Sequence, residues 1–318
     1  MEDFRYGNLI IAHSPHIEDR ITTAKIMLHV IIALLPALIV ATYVFGYNVI
    51  IMTLVCVVFC VFFEFAFQRI TKRPDTIDDL SAVVTGILLS LNLPVTLPYW
   101  QAIIGCFVAI VVAKQIFGGI GSNFVNPAIL GRVVLLVSFP QTMTNWVLPN
   151  QGFSTLDATS GPTPLGEFTK GNLEALPSNL DLFLGFVGGS LGETGALFLL
   201  LGGIFLVARK IITPETPIAF LGTMVIVSLI AGVDPIFQIL AGGAMLGAFF
   251  MATDYSSSPL TFKGKIVFGI GCGLFTMLIR LFGAYPEGVS FAILFMNILT
   301  PHINRFAGTR LYGGGKNA

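Results

Sequence analysis

Charged residues are scarce in this 318-residue chain, at 11% of the total, and there are only two tryptophans, four histidines and four cysteines. Soluble domains carry about 25% charged residues, so this composition excludes a water-soluble globular enzyme. Seventeen basic residues balance seventeen acidic ones, which excludes nucleic acid as a partner. Apolar residues are abundant instead, at 55% of the chain, and the mean hydropathy is +0.86. The sequence therefore predicts a polytopic protein surrounded by membrane lipid.

Apolar runs divide the chain into about ten candidate membrane helices. A membrane-spanning helix needs roughly 20 mostly apolar residues, because lipid offers the backbone no hydrogen-bond partners outside a helix. The candidate spans are 25–45, 48–68, 79–93, 98–116, 125–139, 191–208, 217–231, 236–252, 264–282 and 288–300. Several are short and adjoin Asn, Gly or Pro, which is typical of spans that line a site. We predict an all-α polytopic fold with ten transmembrane helices in two related five-helix halves.

The expectation of two halves depends on a weak internal similarity. Arg69–Gly118 and Arg209–Gly247 both contain a basic cluster, prolines and apolar spans, the last of which is rich in glycine or ends in it. Such duplication is common in membrane transport proteins. The register of the duplication stays open. A repeat shifted by four spans would have the same orientation in the membrane as the first copy, whereas a division into five plus five spans would give copies of inverted orientation.

The basic residues predict an orientation. With the N-terminus in the cytoplasm and ten crossings, fourteen of the seventeen basic residues fall on the cytoplasmic side, as the positive-inside rule requires. The first residues are polar, so no secretory signal is expected. The predicted organisation is a cytoplasmic N-terminal segment 1–24, helices 1–5 in 25–139, an extracytoplasmic loop 140–190, helices 6–10 in 191–300, and a cytoplasmic tail 301–318.

The cysteines and a glycine-rich run favour packing over ligand binding. Cys56, Cys60, Cys106 and Cys272 all fall in apolar spans, and no CxxC pair or nearby His completes a metal-ligand set. We therefore predict no metal site. The run Gly269–Gly273 resembles a nucleotide fingerprint only superficially, since no strand precedes it, and close helix packing explains it better.

Two asparagines mark the start of the fifth span. Asn123 and Asn126 are three residues apart, which predicts that they share one helix face. An amide there caps the helix, with Pro127 at its first position, and the free N–H groups and the helix dipole favour polar or anionic ligand atoms. Helix capping and ligand contact are compatible roles for these asparagines.

The remaining charges near the spans are few. Arg132 lies within the fifth span, where its insertion costs about 2.5–3.5 kcal/mol unless it is paired or faces a polar cavity. A salt bridge and a ligand contact are equal alternatives. Glu64 and Asp254 lie near the cytoplasmic ends of their spans and are interpreted as interfacial charges.

The outer loop contains the most informative segment, Asp157–Leu165, which reads DATSGPTPL. Without further knowledge it is a turn stiffened by proline with local hydroxyl hydrogen bonds. The segment also resembles the S/T-G-A-T flavinylation motif in the membrane subunits of Rnf complexes and of sodium-pumping NADH:quinone oxidoreductases. In those families the last Thr is esterified to the phosphate of FMN, which corresponds to Thr163. The chain departs from the pattern at Pro162, where the family usually has Ala.

Four further segments resemble signatures of the same family, in the same order along the chain. They are Asp79–Gly86, Phe117–Ala128, Phe250–Asp254 and Tyr285–Gly288. With the ten spans, the resemblance covers nearly the whole chain. The length and the short N-terminus suit the Rnf D subunit better than the longer B subunit of the quinone reductase.

The resemblance implies two flavins. One is covalent FMN on Thr163, within a motif that includes Asp157, Ser160 and Gly161. The other is non-covalent riboflavin inside the membrane domain, nearer the cytoplasmic side. Its candidate pocket consists of Thr85, Asn123, Asn126, Asp254 and Tyr285, whose hydroxyl and amide groups suit an isoalloxazine edge or a ribityl chain.

The resemblance also implies a function and partners. The chain would be a membrane flavoprotein subunit of a ferredoxin:NAD⁺ oxidoreductase that moves Na⁺ or H⁺ across a bacterial or archaeal cytoplasmic membrane. Its partners would be the Rnf subunits A, B, C, E and G, with FMN exchanging electrons with the G subunit at the outer surface. No residue resembles a general acid or base, so the chain is not expected to be a complete enzyme. The alternatives are a two-repeat channel or carrier for a small solute, and the B subunit of the quinone reductase.

Overall fold

The structure is a computed structural model that describes residues 22–149, 161–172, 176–193, 195–283 and 287–307. Within these ranges the regular elements are all helical, which confirms the all-α prediction. The first half contains α1 (Thr23–Phe45), α2 (Asn48–Thr71), α3 (Ser81–Leu91), α4 (Tyr99–Phe107) and α5 (Pro127–Ser138). A π-helix at Val108–Gln115 continues α4 without interruption.

Three short helices lie in the stretch predicted as the outer loop: α6 (Pro140–Met143), α7 (Pro164–Thr169) and α8 (Asn179–Leu184). The second half contains α9 (Ala196–Ala208), α10 (Glu215–Ala231), α11 (Pro235–Leu240), α12 (Ala244–Leu246), α13 (Phe262–Phe282) and α14 (Val289–Ala307). A second π-helix, Gly247–Met251, continues α12. The backbone of Gly242 and Gly243 is left-handed, with φ of +67° and +66°, and this turn separates α11 from α12.

The helices have the apolar character of a membrane protein. Within the described residues, α1, α2 and α13 are long and apolar enough to cross a membrane, and five shorter apolar helices of 10–17 residues accompany them. Large apolar side chains such as Ile39, Phe62 and Ile218 are more than half exposed on the outside of the bundle, where lipid rather than water suits them. The chain is an integral membrane protein.

The core is continuous across the two halves. Contacts between α1 and α9 and between α5 and α14 join them. The four cysteines have no exposed surface, as expected of packing residues. The most extensive contact between two helices joins α10 and α13, where a Cβ on Gly269 would lie 2.7 Å from the backbone oxygen of Thr216. The predicted role of the Gly269–Gly273 run in close packing is thereby confirmed.

Candidate functional site

One end of the helix bundle encloses an interior cavity of about 380 Å³. The first residues of α1, α3 and α5 line it, together with residues at the ends of α9 and of both π-helices. Protein sites for small organic ligands have volumes of about 300–1,000 Å³, so this cavity is of suitable size. Two π-helices ending at one cavity also point to function, since this rare element occurs frequently at functional sites.

The cavity brings together four residues of the predicted riboflavin pocket. Thr85 lies on α3, Asn123 and Asn126 precede α5, and Asp254 follows the second π-helix, yet all four line the same space. The fifth, Tyr285, lies outside the described residues. That the cavity binds riboflavin stays a prediction at this point.

Asn126 occupies its position because it caps α5. Its Oδ1 accepts a hydrogen bond from the backbone N–H of Ile129 at 3.2 Å, and Pro127 is the first helical residue. The predicted cap is therefore confirmed. The Nδ2 of Asn126 donates to the backbone oxygen of Met251 at 3.3 Å, which ties the start of α5 to the end of the second π-helix.

Asn123 lies before the helix, in irregular backbone, so the prediction that both asparagines share one helix face is wrong. Proline at the first helical position and an extended Asn126 place the start of α5 at residue 127. Asn123 is 7% exposed, and its Oδ1 has no hydrogen-bond partner in the described part of the chain. A buried acceptor without a donor is unfavourable by about 1–3 kcal/mol, so this oxygen suits a ligand that supplies a donor.

Thr85 and Asp254 add further polar groups. The Thr85 hydroxyl donates to the backbone oxygen of Ser81 at 2.9 Å, which leaves its lone pairs as acceptors. Asp254 is half-buried rather than a fully solvated interfacial charge, and the Ser257 hydroxyl donates to it at 2.9 Å. Burial raises the pKa of the Asp254 carboxyl above its ordinary value, although the hydrogen bond from Ser257 opposes the shift. The Asp254 carboxyl group therefore lines the cavity from a partly desolvated position.

A buried ion pair adjoins the cavity and was not part of the predicted site. The Lys114 Nζ lies 2.7 and 2.8 Å from the two carboxylate oxygens of Glu64, and the Glu64 and Lys114 residues are only 0% and 1% exposed. The interpretation of Glu64 as an interfacial charge is therefore wrong. Lys114 and Ser81 line the cavity. The sequence signal for this ion pair was weak. It consisted of two opposite charges, each near the predicted cytoplasmic end of its span.

Two arginines are buried within the bundle. Arg132 forms a salt bridge with Glu287 and donates to Asn92 Oδ1 and Ser290 Oγ, each at 3.0 Å, so of its two predicted alternatives the salt bridge is confirmed. Arg280 donates to the backbone oxygens of Gln238, Ala241, Gly242 and Glu287. Both arginines contact Glu287, which links α5 to the end of α13, and Arg280 also links α13 to the end of α11.

Thr163 caps the short helix α7. Its Oγ1 accepts a hydrogen bond from the backbone N–H of Gly166 at 3.0 Å, and the residue is 5% exposed. Gly161 donates its N–H to the backbone oxygen of Trp146 at 3.0 Å, which fixes the approach to the cap. The other two predicted motif residues, Asp157 and Ser160, lie outside the described residues.

Thr163 and the cavity lie at opposite ends of the bundle. The cavity is lined where α5 begins and α9 ends, whereas α7 lies between the end of α5 and the start of α9. Leu165 of α7 packs with Phe237 and Ala241 near α11 and adjoins Arg280 at the end of α13. The structure therefore defines a polytopic membrane protein with an interior cavity at one end and a threonine-capped helix at the other.

Sequence comparison places this architecture in a known family. The profile of the NQR2, RnfD, RnfE family matches residues 10–313, and the chain belongs to this family. The chain is 49% identical over 308 residues to the D subunit of the Na⁺-translocating ferredoxin:NAD⁺ oxidoreductase complex of Acetobacterium woodii, an alignment that covers 96% of each protein.

Two further relatives are similar over nearly their whole length. Identity is 39% to the D subunit of the proton-translocating ferredoxin:NAD⁺ oxidoreductase complex of Clostridium ljungdahlii, with 95% of this chain and 96% of the relative covered. It is 38% to the D subunit of the ion-translocating oxidoreductase complex of Alcanivorax borkumensis, with 96% and 97% covered. The predicted resemblance to the Rnf D subunit is thereby confirmed.

Proposed function

We propose that this chain is the electron-relay D subunit of an Rnf-type ferredoxin:NAD⁺ oxidoreductase, with covalent FMN on Thr163 and riboflavin in the interior cavity. The observation that carries the proposal is the convergence of Thr85, Asn123, Asn126 and Asp254 on one cavity. These residues come from three separate stretches of sequence, and each supplies a polar group where most of the lining is apolar. A channel or carrier for a small solute gives no reason for the flavinylation motif around Thr163.

The cavity residues suit the parts of riboflavin. The orphaned Asn123 Oδ1 accepts from an N–H or a ribityl hydroxyl, and the Asp254 carboxyl group supplies a second polar contact. Phe249, Phe250 and Leu206 supply apolar contact area. Bound flavin supplies one-electron and two-electron redox chemistry, and the protein fixes its position and surroundings.

Thr163 also suits its proposed ester. The hydrogen bond from Gly166 occupies a lone pair of Oγ1 and leaves the hydroxyl hydrogen to be replaced by phosphorus. Because Thr163 is 5% exposed, the attaching enzyme requires a more open arrangement of the segment around it. Ser160, Gly161 and Asp157 would serve as part of the sequence that this enzyme recognises.

The proposed setting is the cytoplasmic membrane of a bacterium or archaeon, with both termini in the cytoplasm. This orientation puts the riboflavin cavity near the cytoplasm and Thr163 at the outer surface, where its FMN exchanges electrons with the G subunit. The A, B, C and E subunits complete the complex. The relatives from A. woodii and C. ljungdahlii are named for Na⁺ and for protons respectively, so family membership alone does not select the ion. Replacing Na⁺ by K⁺ in vesicle transport assays decides between them.

In-gel fluorescence tests the covalent flavin. The full-length protein from a host that has the flavin-attaching enzyme is denatured, separated by electrophoresis and viewed under ultraviolet light. We expect a fluorescent band that disappears in Thr163→Val, which keeps the side-chain shape but lacks the hydroxyl. The control, Thr169→Val, alters an exposed threonine at the end of the same helix and should keep the band. A wild-type protein without fluorescence, or a fluorescent Thr163→Val, would contradict the assignment.

Extraction of the native protein tests the cavity. We expect riboflavin to be released by acid from the folded wild-type protein, at close to one equivalent per chain, and to fall severalfold in Asn123→Leu. Leucine has a similar volume but no acceptor for a ligand N–H or O–H. Folded protein that releases no flavin from any variant would overturn the cavity assignment and favour a solute carrier.

A further inference from the structure

The Lys114–Glu64 ion pair borders the proposed flavin cavity and has no role in the functions described so far. We propose that Lys114 is a positioning residue that sets the reduction potential of the flavin in this cavity, and that Glu64 is its counter-charge. The inference deepens the proposed function and rests on riboflavin binding in the cavity. It concerns residues that family membership and the flavin motif do not assign.

The geometry holds the ammonium group firmly. Lys114 Nζ contacts both carboxylate oxygens of Glu64 and also donates to Ser81 Oγ. Gln115 Nε2 donates to Glu64 Oε1 at 2.8 Å, and Gln68 Nε2 donates to the same oxygen at 3.4 Å. Ser81 in turn donates to Asp79 Oδ1. All three donors of the ammonium are therefore used, so its position is fixed in this network.

Stability does not explain why such a pair is buried in a membrane domain. Removing two charges from water costs several kcal/mol per ion, and an apolar pair of similar volume is often equally stable. Ionisable groups at membrane depth are therefore rare and mostly functional. Lys114 also lies in the π-helix that continues α4, and π-helices occur frequently at functional sites.

The two charges of the pair lie at different distances from the cavity. Lys114 lines the cavity, whereas Glu64 has no exposed surface and is absent from the described cavity lining. The cation is thus nearer to a bound ligand than its counter-charge. Because Coulomb interactions are strong away from water, the net effect on a ligand that gains an electron is stabilisation. The other charged side chain among the described lining residues is Asp254, which opposes Lys114 when ionised.

Neutralising either member of the pair should therefore shift the midpoint potential of the flavin, in opposite directions for the two residues. Lys114→Met removes the stabilising cation and should lower the midpoint potential of the flavin. Glu64→Gln removes the carboxylate in direct contact with the cation, leaves only Asp79 behind Ser81 to oppose it within this network, and should raise the potential. The double variant should lie between the single variants. We expect each single change to alter the one-electron reduction equilibrium at least tenfold, which corresponds to about 59 mV.

Spectroelectrochemical titration of the purified full-length chain in detergent measures these shifts. A Thr163→Val background leaves the non-covalent flavin as the chain's only chromophore to titrate, and flavin content is measured on the same samples. Lys263→Met, which removes an exposed lysine in the first turn of α13, is the control and should leave the potential unchanged. If Lys114→Met does not fold, Glu64→Gln and the double variant still test the sign.

The outcomes separate this inference from the proposed function. If the parent chain retains no flavin, the riboflavin site itself is wrong. If flavin is retained but Glu64→Gln and Lys114→Met titrate at the parent potential, the pair is only structural and the inference is overturned. Shifts of the midpoint potential in the same direction in both single variants also overturn the inference. Such shifts would indicate general damage to the cavity, because an electrostatic effect must change direction with the charge removed.

Discussion

At the scale of single residues, Asn126 both caps α5 and links it to the second π-helix, and substitutions can separate these two hydrogen bonds. Its Oδ1 caps α5 and its Nδ2 donates to Met251, so Asn126→Ala loses both bonds. Asn126→Ser keeps a capping hydroxyl but lacks the amide donor. We expect Asn126→Ala to be less stable than Asn126→Ser by about 1 kcal/mol, the usual value of an N-cap. Thermal unfolding of the purified proteins measures the difference.

Both Asn126 variants should lose riboflavin to a similar extent, because both lose the link between α5 and the second π-helix. Equal stability of the two variants would show that the cap contributes nothing and that the Met251 bond alone holds this position. Flavin retention in both would remove Asn126 from the proposed binding site.

The same residues show what sequence can reveal at this scale. The cap of α5 is a local feature, because Asn followed by Pro at the first helical position specifies both the cap and the helix start. The pairing of Lys114 with Glu64 is not local. It depends on the rotation and depth of two helices whose contacting residues are 50 positions apart, and a single sequence contains no record of either. The prediction for Asn123 failed for a different reason, because it overlooked that the same Asn126–Pro127 signal places Asn123 before the helix.

At the scale of helices, the packing of α10 against α13 depends on glycine at the contact. A methyl group at Gly269 would lie 2.7 Å from a backbone oxygen of α10, which cannot move aside as a flexible side chain would. We expect Gly269→Ala to destabilise the protein by about 1–3 kcal/mol, the usual effect of overpacking. Gly222→Ala is the matched control on α10, where an added methyl group meets nothing within 4 Å.

The control variant Gly222→Ala has its own expected effect on stability. Alanine has a higher helix propensity than glycine by about 1 kcal/mol, so Gly222→Ala should be neutral or stabilising. Thermal unfolding in detergent compares the two variants directly. If both destabilise equally, loss of glycine flexibility rather than close contact explains the effect, and the packing argument is wrong.

Helix bounds were largely predictable, because apolar runs interrupted by proline and glycine specify them. The expected spans 48–68 and 264–282 appear as Asn48–Thr71 and Phe262–Phe282. The eighth span, expected as continuous over 236–252, is instead divided by the left-handed Gly242 and Gly243. The two π-helices were not predictable, since a π-helix differs from an α-helix in one extra residue per turn and leaves the pattern of apolar residues almost unchanged.

At the scale of the whole molecule, the two candidate flavin sites lie at different ends of the second half's helices. The cavity is bounded by helix ends at one side, and α7 packs onto helix ends at the other. An electron relay across a membrane needs this separation, because each flavin must meet a partner on its own side. The internal duplication of the two halves is untested and stays a prediction.

The orientation of the chain can be measured with cysteines introduced at the two ends. The four native cysteines have no exposed surface and give little background. Thr169→Cys places an exposed thiol at the end of α7, and Lys263→Cys places one at the start of α13, on the cavity side. A membrane-impermeant maleimide is added to right-side-out and to inverted vesicles. Because basic residues are retained in the cytoplasm, we expect Thr169→Cys to be labelled only in right-side-out vesicles and Lys263→Cys only in inverted ones.

Each departure from this result has a distinct meaning. Labelling of both thiols from one side would contradict the placement of the cavity and Thr163 at opposite ends. A reversal of both labelling results would keep the cavity and Thr163 on opposite sides of the membrane but would put Thr163 in the cytoplasm. The proposed exchange of electrons with a flavoprotein at the outer surface would then fail, even if Thr163 carried FMN, because a covalently held cofactor on a six-residue helix cannot cross the bundle to reach that partner.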